Sequence, residues 1–191
     1  MPESKHSHRV CPWWLGYLLA TPARRLFQNP RRILKPWVSE GGMVIEPGPG
    51  MGFFTLELAR LVGPRGRVVA LDIQPKMLSA LKRRARSAGL LDRIEARLIK
   101  PESMGLADLK GRADLVFAFA VVHELPRAEE FFREVHEALK AGGKLLISEP
   151  HPRVSEADFV RTVKLAEAAG FKEEARPKIS RSSSVLMTRG D

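Results

Sequence analysis

The sequence lacks the residues and the long apolar runs that several protein classes require. A single cysteine among 191 residues excludes an internal disulfide framework and is typical of a reducing compartment. No apolar run reaches the ~18 residues that a membrane-spanning helix needs. The apolar stretch after the basic start is interrupted by Pro12 and Gly16, which disfavours a signal peptide. These absences predict a cytoplasmic protein that does not cross a membrane.

Acidic residues are scarce relative to basic ones. Asp and Glu number 22 against 32 Lys and Arg, which gives a net charge of +10. Such an excess can attract nucleic acid or an acidic membrane surface. The basic residues are spread along the chain, however, for example at Arg24–Arg25, Arg31–Arg32 and Lys82–Arg86. The charge therefore leaves nucleic acid open as a partner and does not select it.

The hydrophobic pattern predicts one α/β domain. With 44% hydrophobic residues, a chain of this length can build one sizeable core. Buried-strand patterns alternate with helical patterns, which predicts a parallel sheet covered by helices on both faces. The strands are expected at 43–46, 66–73, 94–99, 113–122, 143–150, 173–180 and 182–189, and the intervening helices at 53–62, 75–89, 126–143 and 155–171. The last two strands are too close for a parallel crossover, so they should form an antiparallel hairpin.

The segment before the first strand is also expected to be helical. Its apolar residues, between positions 13 and 37, are interrupted at Thr21–Pro22, Asn29–Pro30 and Pro36. Because proline is favoured in the first turn of a helix, this pattern predicts two or three short helices.

A glycine-rich loop, Glu46-Pro47-Gly48-Pro49-Gly50-Met51-Gly52-Phe53, follows the first strand. It lacks the lysine of a phosphate-binding P-loop. A nicotinamide-binding fingerprint needs a third glycine where Phe53 stands. The alternate glycines instead allow the backbone to approach a ligand closely.

The end of the second strand carries Asp72, 20 residues beyond Gly52. A carboxylate at this place can accept hydrogen bonds from both hydroxyls of a ribose. The loop and the acid together favour an adenosine-like ligand at the carboxyl ends of the first two strands. A plain turn that binds nothing would not account for Asp72.

The ordered motifs resemble those of the class I S-adenosylmethionine (SAM)-dependent methyltransferases. The resemblance covers about residues 40–190 and includes the acidic-x-G-x-G-x-G loop, the acid after the second strand, "LKAGGKLLISEP" and the closing hairpin. It implies a Rossmann-like three-layer α/β/α sandwich with a seven-stranded, mostly parallel sheet whose last strand is antiparallel. It also implies a single domain made of an N-terminal helical lid, 1–40, and a SAM-binding core, 41–191. The methyl donor would be SAM and the product S-adenosylhomocysteine.

The resemblance implies cofactor-binding roles for residues that follow the first, second and fourth strands. Three glycines would bring the backbone to the methionine part of SAM. Of two acids, the first would orient the loop and reach the amino group of SAM, directly or through water, and the second would bind the ribose. Of three apolar residues, the first would pack on adenine and the other two would line the methionyl pocket. In that order, these residues are Gly48, Gly50 and Gly52; Glu46 and Asp72; and Ile73, Ala118 and Phe119.

One position departs from the family pattern. Many members have an aspartate after the third strand that binds the adenine amino group, whereas this sequence has Lys100. A lysine cannot accept that hydrogen bond. Either Glu102 or a backbone group is expected to substitute for it.

Two polar residues after the fourth strand, His123 and Glu124, are the candidate catalytic residues. The histidine could act as a base or orient the acceptor, and its alternative is a structural role. The glutamate could contact the acceptor or hydrogen-bond to the lid. The Asp/Asn-Pro-Pro-Tyr/Phe signature of many nucleic-acid amine methyltransferases is absent, and the apolar residues 118–121 favour a small or apolar acceptor.

The N-terminal segment contains a cluster of His6, His8 and Cys11, followed by Trp13 and Trp14. Such residues could bind a soft metal, or they could form an aromatic wall for an apolar or cationic acceptor. The alternative is an unstructured terminus before a packing helix. No metal site is therefore predicted.

The sequence thus predicts an enzyme that methylates a small molecule. Three alternatives remain at this point: a nucleic-acid methyltransferase, a SAM-binding protein without catalytic activity, and a nicotinamide-dependent reductase.

Overall fold

The computed structural model describes residues 28–190, and its centre is one seven-stranded sheet. The strands are β1 (Met43–Pro47), β2 (Arg67–Asp72), β3 (Ile94–Leu98), β4 (Ala113–Phe119), β5 (Leu139–Pro150), β6 (Phe171–Ala175) and β7 (Ser182–Arg189). Their order across the sheet is β3-β2-β1-β4-β5-β7-β6. Strands β1 to β5 pair in parallel, whereas β7 is antiparallel to both β5 and β6. This arrangement confirms the predicted sheet and its closing hairpin.

Helices cover both faces of the sheet. They are α1 (Pro30–Leu34), α2 (Thr55–Leu61), α3 (Pro75–Ser87), α4 (Ala128–Ala138) and α5 (Glu156–Ala168), with short 3-10 turns at Leu91–Arg93, Ala107–Leu109 and Val122–Glu124. Alternate strand residues belong to different cores, since Ile45 lies in the cluster with α4 and α5 and Val44 in the cluster with α1, α2 and α3. The three-layer sandwich is therefore confirmed.

Several element boundaries differ from those predicted. Helix α4 ends at Ala138 and not near 143, because Leu139 already pairs with Ala113 as the first residue of β5. Strand β4 stops at Phe119, since Ala120 has a φ of 55° that no extended strand can continue through. Strand β6 occupies Phe171–Ala175, earlier than the predicted 173–180, because Phe171 is buried against the core.

Only part of the N-terminal prediction lies in the described residues. Helix α1 begins as expected with Pro30 in its first turn, and the Asn29 side chain caps it by accepting the Arg32 N–H at 3.2 Å. The His6–Cys11 cluster, Trp13, Trp14 and most of the predicted lid lie outside the described residues. Within 28–190, no helix is long and apolar enough to cross a membrane.

Candidate active site

A cavity of about 350 Å³ lies at the carboxyl ends of β1, β2 and β4. Its walls come from the glycine loop after β1, the end of β2, the segment after β3 and the turn after β4. Strand order reverses at β1, which lies between β2 and β4, and ligands of open α/β sheets bind at such a reversal. The volume is within the range of small-molecule sites, ~300–1,000 Å³.

Each of the three loop positions favours glycine for a different structural reason. Each has a positive φ: 67° at Gly48, 54° at Gly50 and 83° at Gly52. A Cβ on Gly48 would lie 2.9 Å from Val121, whereas a Cβ on Gly50 would meet no atom within 4 Å. A Cβ on Gly52 would lie 2.4 Å from the Leu81 side chain. Gly48 and Gly50 line the cavity, and Gly52 instead allows the loop to pack against α3.

The cavity wall contains a buried carboxyl group at Glu46, which is 3% exposed. Its Oε2 atom has no hydrogen-bond partner among residues 28–190. Burial, with a smaller contribution from the nearby Asp72 carboxylate, raises the pKa of Glu46 to about 8, although Thr55 opposes this increase. A buried acid without a counter-charge is suited to a positively charged ligand group.

A second acid, Asp72, lies at the end of β2 on the same cavity wall. Its Oδ1 accepts the Gln74 N–H at 2.8 Å, which fixes the carboxylate at the start of α3. Burial raises the pKa of Asp72 to about 6, while the N–H groups of Gln74, Gly50 and Ile73 lower it and Glu124 raises it further. The group is therefore positioned by the backbone and remains able to accept further hydrogen bonds.

The end of the cavity beyond β2 and β3 is apolar. Ile73 lines it, together with Met77, Ile99 and Met104, and the packing of Ile73 on adenine stays a prediction. Glu102, by contrast, is exposed and is not part of the lining, so its contact with adenine stays a prediction.

The segment after β3 is held by a residue that the sequence analysis missed, Glu134 on α4. Its carboxylate accepts the Met104 N–H at 3.1 Å, the Leu106 N–H at 3.5 Å and the Ser103 hydroxyl at 3.2 Å. Because 30 residues separate Glu134 from Met104, no local spacing reveals this contact. Glu134 therefore sets the position of one cavity wall from outside the cavity.

Strand alternation separates the two residues predicted at the end of β4. Phe119 lines the cavity and packs against Phe54 with ring centroids 4.6 Å apart. Ala118 faces the opposite side of the sheet and is fully buried in the core with α4 and α5. A direct role of Ala118 in the methionyl pocket stays a prediction.

The two predicted catalytic residues both lie in the 3-10 turn after β4, but only one of them lines the cavity. Glu124 lines the cavity, and His123 does not. The His123 ring contacts another residue that the sequence analysis missed, Glu149 on β5, with 2.5 Å between Nδ1 and Oε2. Its Nε2 lies 3.8 Å from the nearer Glu124 oxygen. The turn thus contains an imidazole between two carboxyl groups.

All ionisable side chains that line the described part of the cavity are acidic. They are Glu46, Asp72 and Glu124, and the remaining lining is mainly Met, Phe, Ile, Leu, Val, Pro and Gly. This chemistry fits SAM, which has a positively charged sulfur and amino group, a ribose diol and an apolar adenine. The fit rests on the unpartnered Glu46 oxygen and on the fixed Asp72 carboxylate.

Comparison with known proteins agrees with this geometry. The methyltransferase-domain family matches residues 39–181. A ubiquinone/menaquinone biosynthesis C-methyltransferase of Klebsiella pneumoniae is 30% identical over 112 residues, which are 59% of this chain and 44% of the relative. A protein-L-isoaspartate O-methyltransferase of Triticum aestivum is 28% identical over 150 residues, which are 77% of this chain and 63% of the relative.

A solved structure has the same fold over nearly its whole length. A SAM-dependent methyltransferase from Aquifex aeolicus superimposes with a TM-score of 0.82 at 21% identity, covering 94% of this chain and 99% of the other. Because the methyltransferase-domain family matches most of this chain and the fold is the same, the chain belongs to the class I SAM-dependent methyltransferases. This confirms the predicted family and its methyl donor. The chain spans less than half the length of the Klebsiella relative.

Proposed function

We propose that the protein transfers a methyl group from SAM to a small, largely apolar acceptor that is neutral or cationic. The observation that carries this proposal is the cavity itself, whose described lining is apolar with acids as its only ionisable groups. Asp72, with a pKa of about 6, is ionised at neutral pH, and its carboxylate would repel an anionic acceptor strongly in this low-dielectric site.

The lining residues suit different parts of the donor. Glu46 would pair with its cationic groups, Asp72 would bind its ribose hydroxyls, and Gly48 and Gly50 would allow close approach of the backbone. Ile73 would pack on its adenine. When bound, SAM supplies a methyl group attached to a positively charged sulfur. The protein's part is to hold donor and acceptor in line, to exclude water with its apolar walls, and to accept a proton from the acceptor where one is released.

The relatives leave the acceptor open. By its name, the Klebsiella protein is a C-methyltransferase of ubiquinone and menaquinone biosynthesis, and the wheat protein methylates an oxygen of L-isoaspartate in proteins. An apolar acceptor agrees better with the lining here. Basic residues that could attract RNA, such as Lys82, Arg83 and Arg86, are exposed on α3 and do not line the cavity.

A methyl-transfer screen tests the proposal. Purified protein is incubated with SAM labelled in its methyl group and with matched neutral, cationic and anionic small molecules, and with RNA at two salt concentrations. We expect label only in neutral or cationic small molecules, and less label with the Asp72→Asn variant at subsaturating SAM. Label in anionic acceptors or in RNA would overturn the acceptor class. SAM binding without any methyl transfer would overturn the proposed activity and support the alternative of a SAM-binding protein without catalytic activity.

A further inference from the structure

Glu149 is a fully buried carboxylate, and both of its oxygens contact the turn after β4. Its side chain has no exposed area. Oε1 accepts the Val122 N–H at 2.8 Å and the His123 N–H at 3.4 Å, and Oε2 contacts His123 Nδ1 at 2.5 Å. A buried carboxylate needs donors of this kind to offset its desolvation. Glu149 therefore fixes both the backbone of the turn and the His123 ring.

This contact determines the tautomer of His123. A carboxylate only accepts hydrogen bonds, so the proton of a neutral ring is on Nδ1 and the lone pair is on Nε2. Nε2 is buried and has no hydrogen-bond partner among residues 28–190. The nearest acidic oxygen is Oε1 of Glu124, 3.8 Å away. An unpartnered basic nitrogen is thus next to the carboxyl group that lines the cavity.

We propose that Glu124 takes the proton released by the methyl acceptor and transfers it to Nε2 of His123, which Glu149 holds in the required tautomer. The proposal rests on the methyl-transfer function above. It makes Glu124 the catalytic residue, because Glu124 alone of the three lines the cavity. His123 and Glu149 act through Glu124 and are positioning residues.

Atoms and charge balance in this scheme. The acceptor atom forms a bond to the methyl carbon, the carbon–sulfur bond breaks, and its electron pair remains on sulfur, which becomes neutral. The proton of the acceptor atom moves to a Glu124 oxygen and then to Nε2. The resulting imidazolium lies between the two carboxylates of Glu124 and Glu149 until the proton is released to solvent. The Arg153 guanidinium, 3.6 Å from the same Glu124 oxygen that faces Nε2, adds a further positive charge beside Glu124.

Ring nitrogen NMR tests the tautomer without donor or acceptor. The protein is labelled with ¹⁵N in its histidine rings, and the His123 signals are assigned from their loss in His123→Gln. We expect Nδ1–H in the wild type and a shift of population towards Nε2–H in Glu149→Gln, because an amide can donate to Nδ1. The His136 ring, which packs against Phe171, should be unchanged and is the internal control. A wild-type Nε2–H tautomer would overturn the proposal.

Kinetics test the proton path once the screen supplies an acceptor with a proton on its reacting atom. We expect Glu124→Gln to lower kcat about 10²-fold or more while the SAM dissociation constant changes less than threefold. Glu149→Gln should move the pH–rate profile and leave SAM affinity similar. An unchanged profile in Glu149→Gln would overturn the relay. If the wild type transfers no methyl although the tautomer is as expected, the proposed function fails and the tautomer assignment stands.

Discussion

The Cβ that Gly52 lacks would lie 2.4 Å from the Cδ1 atom of Leu81, so loop and helix α3 are in direct backbone-to-side-chain contact. Gly52→Ala should therefore destabilise the protein by about 2–4 kcal/mol, because it adds a left-handed alanine to an overpacked contact. Gly50→Ala has the same unfavourable φ but open space at Cβ, and we expect a loss of about 1–2 kcal/mol. Urea unfolding of both variants measures the difference.

SAM affinity should change differently in the same two variants. Gly50 lines the cavity, so its variant should bind SAM more weakly even at temperatures where it is fully folded. Gly52 does not line the cavity, and its folded variant should bind nearly normally. Equal losses of SAM affinity in both would contradict the separate roles of the two glycines.

The buried Glu46 carboxyl should make stability depend on pH. Its pKa is raised from 4.5 to about 8 in the folded protein. The unfolded chain therefore loses this proton at lower pH than the folded protein, and the folded state loses stability as the pH rises from 4.5 towards 8. Glu46→Gln cannot ionise and should lack this contribution. Free energies of unfolding of both proteins, measured without SAM between pH 5 and pH 8, should diverge with pH, and a constant difference would contradict the assignment.

The ribose-binding role of Asp72 gives a direct affinity prediction. Asp72→Asn keeps the size of the side chain but removes the charge that strengthens its hydrogen bonds. SAM should bind about 10- to 100-fold more weakly, which corresponds to about 1.5–3 kcal/mol for hydrogen bonds to a charged group. Isothermal titration calorimetry measures this loss. Asp108→Asn, an exposed carboxylate paired with Arg97 outside the cavity, is the matched control and should leave SAM affinity unchanged.

Glu134 should affect SAM binding although it does not line the cavity. Glu134→Ala removes the acceptor for the Met104 and Leu106 N–H groups, so the segment after β3 should lose its fixed position. We expect SAM affinity to fall several-fold. Glu130→Ala on the same helix breaks only exposed ion pairs with Arg127 and Arg133 and should have no effect. Equal affinities of the two variants would show that the segment does not depend on Glu134.

The regular part of the fold was predictable because it rests on local patterns. Alternating strands and helices identified the layers, and the short final connection identified the antiparallel β7. The boundary between α4 and β5 was not predictable, because Leu139 follows the helical pattern of α4 in sequence but pairs with Ala113 as the first residue of β5. Here tertiary pairing overrides local preference.

The candidate site was predictable to the extent that its residues follow strand ends. Glu46, Asp72 and Phe119 line the cavity for that reason. Glu134 and Glu149 were missed because each contacts a segment distant in the chain. The separation of His123 from Glu124 also depends on a side-chain direction within a 3-10 turn, which sequence spacing does not specify.

The placement of β7 has a consequence for synthesis of the protein. This strand follows all other strands along the chain, yet it lies in the interior of the sheet between β5 and β6. Until residues 182–189 leave the ribosome, β5 has one open edge and β6 has no partner. The nascent chain therefore carries unpaired strand edges until β7 has left the ribosome and paired, and a chaperone that shields these edges would be most useful up to that point.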